Sequence, residues 1–164
     1  MALHTPPLCD SLYTVPALLN EPVGLDDVVA HAVRHVDGKV KVDVPADLPE
    51  VQADAGLLER VIANLLQNAL RYSPDGQPVR IAGSAHGDHV ELRVIDRGPG
   101  IPAESVPGIF EPFQRSGDTS VDGAGVGLGL AIARGFTNAM GGAIAAEETP
   151  GGGATLVVTL RAAR

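Results

Sequence analysis

The sequence predicts an α+β domain of two layers, in which helices cover one face of a mixed, mostly antiparallel sheet. Three observations lead to this fold class. Apolar residues recur at helical spacing in three stretches, and shorter runs with strand character lie between them. Four of these runs form two pairs joined by turn sequences, which is typical of hairpins. The order of the elements, with a hairpin after the second and the third helix, favours an α+β architecture.

The predicted elements begin at residue 21, because the segment 1–20 is broken by prolines and predicts a tail or the end of an upstream element. The helices are expected at 27–36, 54–72 and 128–140. The strands are expected at 39–44, 51–53, 79–85, 90–95, 143–147 and 154–160. A turn at Gly87 and Asp88 joins the first hairpin, and the glycine-rich run 149–153 joins the second. Residues 21–164 are thus predicted to form one domain.

Composition and charge limit the possible classes of function. The chain has 164 residues, enough for one domain, and 45% of them are hydrophobic while only 3% are aromatic, which predicts an aliphatic core. A formal net charge of -8 argues against a nucleic-acid surface. No apolar run approaches the roughly 20 residues that span a bilayer. The single cysteine, Cys9, excludes a disulfide framework and fits a reducing cytosol. We therefore expect a cytoplasmic chain without membrane contact.

The helix at 54–72 carries an apolar stripe and a polar stripe. Asp54 is placed to cap its N-terminus, and the turn sequence after Tyr72 ends it. Asn64 and Asn68 lie four residues apart on the polar stripe, although asparagine is a mediocre helix former. A neutral amide oxygen suits a Mg²⁺ ion that already carries the phosphates of a ligand. The alternative is a polar helix edge that faces water, and this helix alone does not decide between the two.

A second candidate site follows the strand at 90–95. The sequence D-R-G-P-G-I-P, which starts at Asp96, places a carboxylate at a strand end, with glycines that let the backbone pass close. Such a carboxylate can accept a hydrogen bond from the exocyclic amine of adenine, whereas guanine would present a carbonyl group there. An aspartate that opens a Gly-Pro turn is the common alternative.

The segment 97–127 is rich in glycine and proline and lacks clear periodicity, which predicts a lid or a binding loop. We expect this lid to be mobile without a ligand. Within it, the residues from Ile109 to Phe113 form an amphipathic patch that is either a docking surface or an anchor for the loop. A glycine-rich run from Gly123 then enters the last helix, where N–H groups and the helix N-terminus favour phosphate. On its own this run is weak evidence, because it does not match G-x-x-x-x-G-K-[ST].

Together and in this order, these stretches resemble the ATP-binding domain of sensor histidine kinases, within the GHKL or Bergerat-fold ATPase family. N-L-L-Q-N-A-L-R-Y-S-P, from Asn64, is similar to the N box, and D-R-G-P-G-I-P is similar to the G1 box. I-F-E-P-F, from Ile109, is similar to the F box, and G-V-G-L-G-L, from Gly125, is similar to the G2 box. The resemblance covers residues 20–161, nearly the whole chain. Around 110–114 and 135–148 it is closest to the potassium-responsive, KdpD-type kinases.

The resemblance implies a role for each matching position. Asn68 would bind Mg²⁺, and Asn64 would support the metal or the phosphates of ATP. Asp96 would read the adenine amine, assisted through water by Thr155. The remaining implied ATP-binding residues are Arg71 and Arg115 at the phosphates, Tyr72 packed on the nucleotide, Gly98, Gly100 and Ile101 around the base, and Gly125, Val126, Gly127, Leu128 and Gly129 in the closing lid. Asn64, Asn68 and Arg71 are the implied catalytic residues.

One position of the resemblance bears on the type of reaction. The family's hydrolytic members, such as gyrase and MutL, carry a glutamate one turn before the metal-binding asparagine, where this chain has Asn64. Asn64 cannot take a proton, and Glu59 lies about 180° around the helix from Asn68. A site without a base protects ATP from water, which a kinase with a separate acceptor requires. The resemblance therefore implies a kinase.

The implied partner is a helical hairpin for dimerisation and histidine phosphotransfer, with a response regulator served indirectly. His4 precedes Pro6 and Pro7 and does not match the acceptor pattern, so the acceptor histidine is expected on another module. The chain is then the cytosolic part of a membrane-anchored sensor. Two alternatives stay open, namely an anti-sigma-type serine kinase of the same fold and a non-catalytic ATP-binding scaffold.

Overall fold

The secondary structure is taken from a computed structural model, which describes residues 19–111 and 128–163. In chain order the elements are β1 (Glu21–Val23), α1 (Leu25–Arg34), β2 (Val40–Asp43), β3 (Val51–Ala53), α2 (Ala55–Tyr72), β4 (Val79–His86), β5 (His89–Ile95), a 3-10 helix (Ala103–Gly108), α3 (Gly129–Ala139), β6 (Ala143–Glu148) and β7 (Ala154–Arg161). The central helix α2 packs on α1, on α3 and on the sheet. The predicted α+β class is confirmed.

The main sheet has five strands in the order β2-β4-β5-β7-β6. Only β2 and β4 are parallel, and the other three pairs are antiparallel, so the sheet is mixed and mostly antiparallel as predicted. In the first hairpin His86 pairs with His89 across a turn in which Gly87 has a φ of 64°. Glycine adopts this left-handed conformation without steric cost, which fixes the turn and the register.

A second, two-stranded sheet pairs β1 with β3 in antiparallel register. The sequence predicted residues 21–23 only as the approach to the first helix, and that prediction is wrong. The run is three residues long and contains Pro22, so it lacks the length and alternation that indicate a strand. Residues 21–23 form a strand because they hydrogen-bond to β3, and this pairing buries Val23 in the core.

The helix boundaries follow from their caps. The carboxylate of Asp54 accepts a hydrogen bond from the Leu57 N–H at 3.1 Å, so α2 begins where its cap predicts. α1 begins two residues earlier than predicted, with its two aspartates, Asp26 and Asp27, in the first turn, where negative charge is favourable. α3 ends before Gly141, whose φ is 79°. None of the helices in the described part of the chain is long and apolar enough to cross a membrane.

The aliphatic core lies between the helices and one face of the main sheet. Its fully buried large side chains are Leu25, Val29, Val51, Leu58, Val61, Ile62, Leu65, Leu66, Val79, Ile81, Leu92 and Leu160. Ile109 and Phe110 join this core. Phe110 is only 9% exposed, so its ring anchors the loop and does not offer a docking surface. Phe113 and the other residues of 112–127 lie outside the described residues, and the bounds of the lid stay a prediction.

Candidate functional site

Helix α2 positions the two asparagines of the candidate site. With 18 residues at 1.5 Å each it is about 27 Å long, and its apolar stripe is buried against the sheet. Asn64 and Asn68 lie one turn apart on the same side of the helix, and both are half-buried. Arg71 is exposed in the last turn, and Tyr72 is 41% exposed at the helix end. Four residues of the predicted site are thus carried by one helix.

The only acidic residue of α2 faces away from the asparagines. Glu59 Oε1 lies 3.5 Å from Nε2 of His35, the residue that caps the C-terminus of α1. Asn68 is nine residues from Glu59, which is about half a revolution in projection around the helix. Glu59 is therefore directed at α1, and α2 offers no carboxylate beside Asn64 that could take a proton from water.

Asp96 is buried at the end of β5, with 5% of its surface exposed. Its Oδ1 accepts hydrogen bonds from the N–H groups of Gly98 and Ala154, both at 3.0 Å. Its own N–H donates to the Ala154 carbonyl at 2.9 Å. The two bonds to Oδ1 fix the plane of the carboxylate. Oδ2 is then the oxygen available to a donor group of a ligand.

Glycines bring the loop after Asp96 close to the end of α2. A methyl group on Gly98 would lie 2.3 Å from the Tyr72 carbonyl oxygen, so only glycine allows this approach. Gly100 has a φ of 82°, which a residue with a side chain rarely adopts. Ile101 is half-buried and packs against the core. The structure therefore brings the loop with the buried carboxylate against the helix that carries Asn64 and Asn68.

Thr155 forms no direct hydrogen bond to the Asp96 carboxylate in the described part of the chain, and its implied role through water stays a prediction. Thr155 pairs with Ile95, and residues directly opposite in an antiparallel ladder point to the same face of the sheet. Asp96 follows Ile95 and points to the other face. The residue that shares the face of Asp96 is Ala154, which contributes its N–H and not a hydroxyl.

The start of α3 is the last described part of the predicted site. Leu128 caps α3 and Gly129 is its first residue, and both are exposed. The four other predicted lid residues, Arg115, Gly125, Val126 and Gly127, lie outside the described residues. Their roles stay predictions.

An open cleft with a volume of about 780 Å³ runs along the loop after Asp96. It is lined by Pro99, Gly100, Ile101, Pro102, Glu148, Thr149, Pro150, Gly151, Gly152 and Gly153. One wall is thus the loop that carries Gly100 and Ile101, and the other wall is the turn between β6 and β7. The sequence predicted the first wall as part of the site, but it predicted the second only as a hairpin turn.

At the phosphate end of the predicted site, the side-chain groups that could bind a metal ion are the amide oxygens of Asn64 and Asn68. No cluster of three or more His, Cys, Asp or Glu side chains that could hold a metal occurs in residues 19–111 and 128–163. A Mg²⁺ ion here would have to rely on Asn64 and Asn68, on water and on the phosphates of a ligand. Those are ligands that Mg²⁺ accepts, so the donor set is compatible with the ion.

A family model described as histidine kinase-, DNA gyrase B- and HSP90-like ATPase matches residues 53–164. The match covers more than half of the chain and includes α2, the buried Asp96 and α3. The chain belongs to this family of ATPases. The family assignment made from the four sequence motifs is confirmed, and the chain is an ATP-binding domain.

Two relatives of this ATPase domain are named "Sensor protein KdpD". The protein from Rathayibacter rathayi is 48% identical over 141 residues, which cover 84% of this chain and 16% of the relative. The protein from Mycobacterium tuberculosis (strain CDC 1551 / Oshkosh) is 52% identical over 124 residues, which cover 76% of this chain and 14% of the relative. The predicted similarity to KdpD-type sensors is confirmed at the level of this domain, and the chain spans a small part of these relatives.

Solved structures agree with this assignment. The ATPase domain aligns with "Mycobacterial sensor histidine kinase MprB" at a TM-score of 0.75 and 30% identity, over 88% of this chain and 98% of that chain. It aligns with full-length ShkA in complex with AMPPNP at a TM-score of 0.74 and 28% identity, over 90% of this chain and 32% of that chain. The predicted Bergerat fold of a sensor-kinase catalytic domain is confirmed.

Proposed function

We propose that this ATPase domain is the catalytic part of a sensor histidine kinase. It binds ATP with Mg²⁺ and presents the γ-phosphate to a histidine on a separate dimerisation and phosphotransfer module. The phosphoryl group then passes to a response regulator. The observation that carries the proposal is the polar face of α2, where Asn64 and Asn68 are half-buried together while Glu59 is directed at α1.

The base of the nucleotide is proposed to bind at Asp96. Two backbone N–H groups occupy Oδ1, so Oδ2 faces a ligand as an acceptor with a fixed direction. An exocyclic amine donates to such an oxygen, whereas a carbonyl group at the same place repels it. Gly100 lines the cleft without a side chain, and its positive φ disfavours any residue that has one. This arrangement supports adenine over guanine.

The phosphates are proposed to bind at the other end of the site. Asn68 and Asn64 offer amide oxygens one turn apart, and the exposed guanidinium of Arg71 can reach a phosphate from the last turn of α2. Bound Mg²⁺ would neutralise part of the phosphate charge. Backbone N–H groups at the start of α3, at Leu128 and Gly129, can add donors at a helix N-terminus. Catalysis then consists of positioning and charge stabilisation.

Transfer to an acceptor, not hydrolysis, is supported by the lack of a general base on α2. A carboxylate within hydrogen-bond reach of water accelerates hydrolysis by about 10²- to 10⁴-fold in typical enzymes. Asn64 stands one turn before Asn68 and cannot accept a proton, and Glu59 lies 3.5 Å from His35. ATP bound here is therefore protected from water until an acceptor side chain arrives.

The module that carries the acceptor histidine is the proposed partner, and the whole protein is proposed to be a membrane-anchored sensor with this domain on the cytoplasmic side. Both follow from the sensor proteins that the chain resembles. No histidine in the described part of the chain lies on the polar face of α2, because His31 and His35 belong to α1 while His86 and His89 flank the turn after β4.

The test is transfer from radiolabelled ATP to the helical hairpin of the parent protein, supplied separately. We expect phosphate on the hairpin that is lost in acid and kept in base, which identifies phosphohistidine. The domain alone should bind ATP, hydrolyse it slowly and acquire no acid-labile phosphate. Acid-stable phosphate would identify a serine or threonine acceptor and favour the anti-sigma alternative. Failure of any transfer, with intact ATP binding, would favour a scaffold.

A further inference from the structure

Two buried hydroxyl groups lie where the turn between β6 and β7 contacts Asp96. Thr149 begins the turn and is 6% exposed, and Thr155, in β7, is 5% exposed. Their Oγ1 atoms are 2.9 Å apart. Thr149 Oγ1 also lies 3.4 Å from the main-chain carbonyl oxygen of Asp96. Thr149 is thus the one side chain of the turn that contacts the main chain of Asp96 through a hydrogen bond among the described residues.

The direction of these two hydrogen bonds follows from their chemistry. A carbonyl oxygen only accepts, so the Thr149 hydroxyl donates its hydrogen to Asp96. Since that hydrogen is used, Thr155 donates to Thr149. Both hydroxyl hydrogens are therefore directed within the protein, on the face of the sheet opposite to the Asp96 carboxylate. Neither hydroxyl is left to donate to a ligand at that carboxylate.

The backbone of the turn is closed tightly against Asp96. The Thr149 N–H donates to the Gly153 carbonyl at 3.0 Å, and the Gly152 N–H donates to the Thr149 carbonyl at 2.9 Å. Gly153 has a φ of 107°, and a methyl group on it would lie 2.0 Å from the Asp96 carbonyl oxygen. The residue after it is Ala154, whose N–H holds Oδ1 of Asp96. Movement of the turn would therefore move a donor of the carboxylate.

We propose that Thr149 is a positioning residue for the carboxylate of Asp96. Its hydroxyl fixes the turn to the main chain of Asp96, the turn places the Ala154 N–H on Oδ1, and Oδ2 is thereby aimed at the exocyclic amine of the base. Thr149 does not touch the nucleotide in this scheme. The inference rests on the proposed function, because it assigns a second residue to the selection of adenine.

A second attachment allows this role to be separated from folding. The guanidinium of Arg97 donates to the Pro150 carbonyl at 2.9 Å on the exposed side of the turn. This hydrogen bond between Arg97 and Pro150 remains when the Thr149 hydroxyl is removed, and so do the backbone hydrogen bonds of the turn. Valine has nearly the shape of threonine, so Thr149→Val removes the hydrogen bonds with little change in packing. The turn should stay folded, but the side chain of residue 149 would no longer hold it to the main-chain carbonyl group of Asp96.

The test compares the affinities of ATP and inosine triphosphate, measured by calorimetry. The two nucleotides differ in that a carbonyl group replaces the exocyclic amine. We expect Thr149→Val to reduce the preference for ATP about threefold, toward the low end for loss of one hydrogen bond, because the bond to Asp96 is long at 3.4 Å. Thr149→Ser keeps the hydroxyl and should restore the preference. Thr155→Val removes only the bond to Thr149 and should retain most of it.

Thr159→Val is the matched control, because Thr159 lies on the same face of β7 as Thr155 and is half-buried. It should leave the preference unchanged. Equal losses of affinity for both nucleotides in Thr149→Val, with an unchanged ratio, would mean that Thr149 only stabilises the fold and would overturn the inference. If Thr149→Val does not fold, a Thr149→Ser variant with lost preference overturns it as well, and retained preference supports it.

The wild-type protein distinguishes this inference from the proposed function. If the wild type does not bind ATP, the proposed function fails and the inference fails with it. If it binds ATP and inosine triphosphate equally, Asp96 does not read the base, and the inference fails while the kinase proposal stands. If it prefers ATP and Thr149→Val keeps that preference, only the role of Thr149 is lost.

Discussion

The two ends of the proposed nucleotide site are built in different ways. At the base end, Asp96 is buried and is held by the backbone N–H groups of Gly98, two residues further on, and of Ala154, the first residue of β7, which lies 58 residues away. At the phosphate end, Asn64, Asn68 and Arg71 stand on one helix and are half-buried or exposed. The base end is thus formed before a ligand arrives, whereas the phosphate end presents side chains that a ligand can order. The base end should therefore determine which nucleotide binds, and the phosphate end should determine the transfer of the phosphoryl group.

The largest effect is expected from Asp96→Asn. The two N–H groups on Oδ1 require an acceptor, so the new amide oxygen must take that place and the NH₂ group must take the place of Oδ2. A donor would then face the amine of adenine. We expect the affinity for ATP to fall about 1,000-fold, because a site built around a hydrogen bond discriminates strongly when it is lost.

Calorimetry with ATP and GTP checks this prediction, and Asp88→Asn in the exposed hairpin turn is the matched control. The control should bind ATP as the wild type does. Unchanged ATP affinity in a folded Asp96→Asn variant would show that the base binds elsewhere, and the contrast between the two ends would disappear.

A smaller effect is expected from Asn68→Ala at the phosphate end. Loss of one ligand should lower the Mg²⁺-dependent affinity for ATP by about 100-fold. The fold should survive, because alanine is the better helix former. Titration of ATP with and without Mg²⁺ measures the effect, and thermal unfolding reports the fold.

Asn138→Ala is the control for this variant, because Asn138 is exposed on α3 and away from the proposed ligands. Equal affinity for Mg-ATP in Asn68→Ala and in the control would remove Asn68 from the metal site. A loss that is the same with and without Mg²⁺ would make Asn68 a direct contact of the nucleotide.

A gain of hydrolysis is expected from Asn64→Glu. The new carboxylate would lie one turn before Asn68, where it can take a proton from water. Because it is not ideally placed, we expect an increase of about tenfold in phosphate release, at the low end of general-base effects. Asn64→Gln has the same size without a base and should stay slow. If both variants hydrolyse ATP equally, the missing base is not what protects ATP.

The smallest effect concerns the start of α2, which supports the phosphate end alone. Hydrogen bonds from the N–H groups of Leu19 and Leu57 lower the pKa of Asp54 in the folded state. Its stabilisation is therefore present above the unfolded pKa of about 4 and is lost as the pH falls through the folded pKa. Asp54→Ala should cost about 1 kcal/mol at neutral pH and have a flatter acid dependence.

Urea unfolding at pH 7 and below pH 4 measures this effect. Asp54→Asn keeps an acceptor for the helix cap but does not titrate, so it should retain most of the stability at pH 7 and also lose the acid dependence. An acid dependence that is the same in all three proteins would assign it to other carboxylates.

The sequence predicted the helix of the phosphate end better than the surroundings of Asp96 for a physical reason. α2 is determined by local signals, a cap at Asp54 and an apolar stripe, and its predicted bounds agree with the structure to within one residue. The environment of Asp96 depends on the register between β5 and β7, which local sequence does not contain. The resemblance implied that Thr155 assists Asp96 through water, but it did not indicate that the N–H of Ala154 binds the carboxylate, as the structure shows.

Two further features were missed because they depend on distant partners. β1 has three residues and a proline, and only its pairing with β3 makes it a strand. Thr149 looked like an ordinary residue before a glycine-rich turn, because its contact with Asp96 spans 53 residues of sequence. Lid residues such as Arg115 and Gly127 lie outside the described residues, so their predicted roles await the measurements on nucleotide binding.

The small sheet has a mechanical consequence. Val51 in β3 pairs with Val23 on one side and forms a bridge with Ala162 on the other, so it stands between the first and the last described strands. The chain passes from β3 through Asp54 straight into α2. A displacement of β3 along its axis would therefore strain its pairing with β1 and its bridge to Ala162 together. Because Asp54 is the only residue between β3 and α2, such a displacement would be passed directly to the helix that carries Asn64 and Asn68.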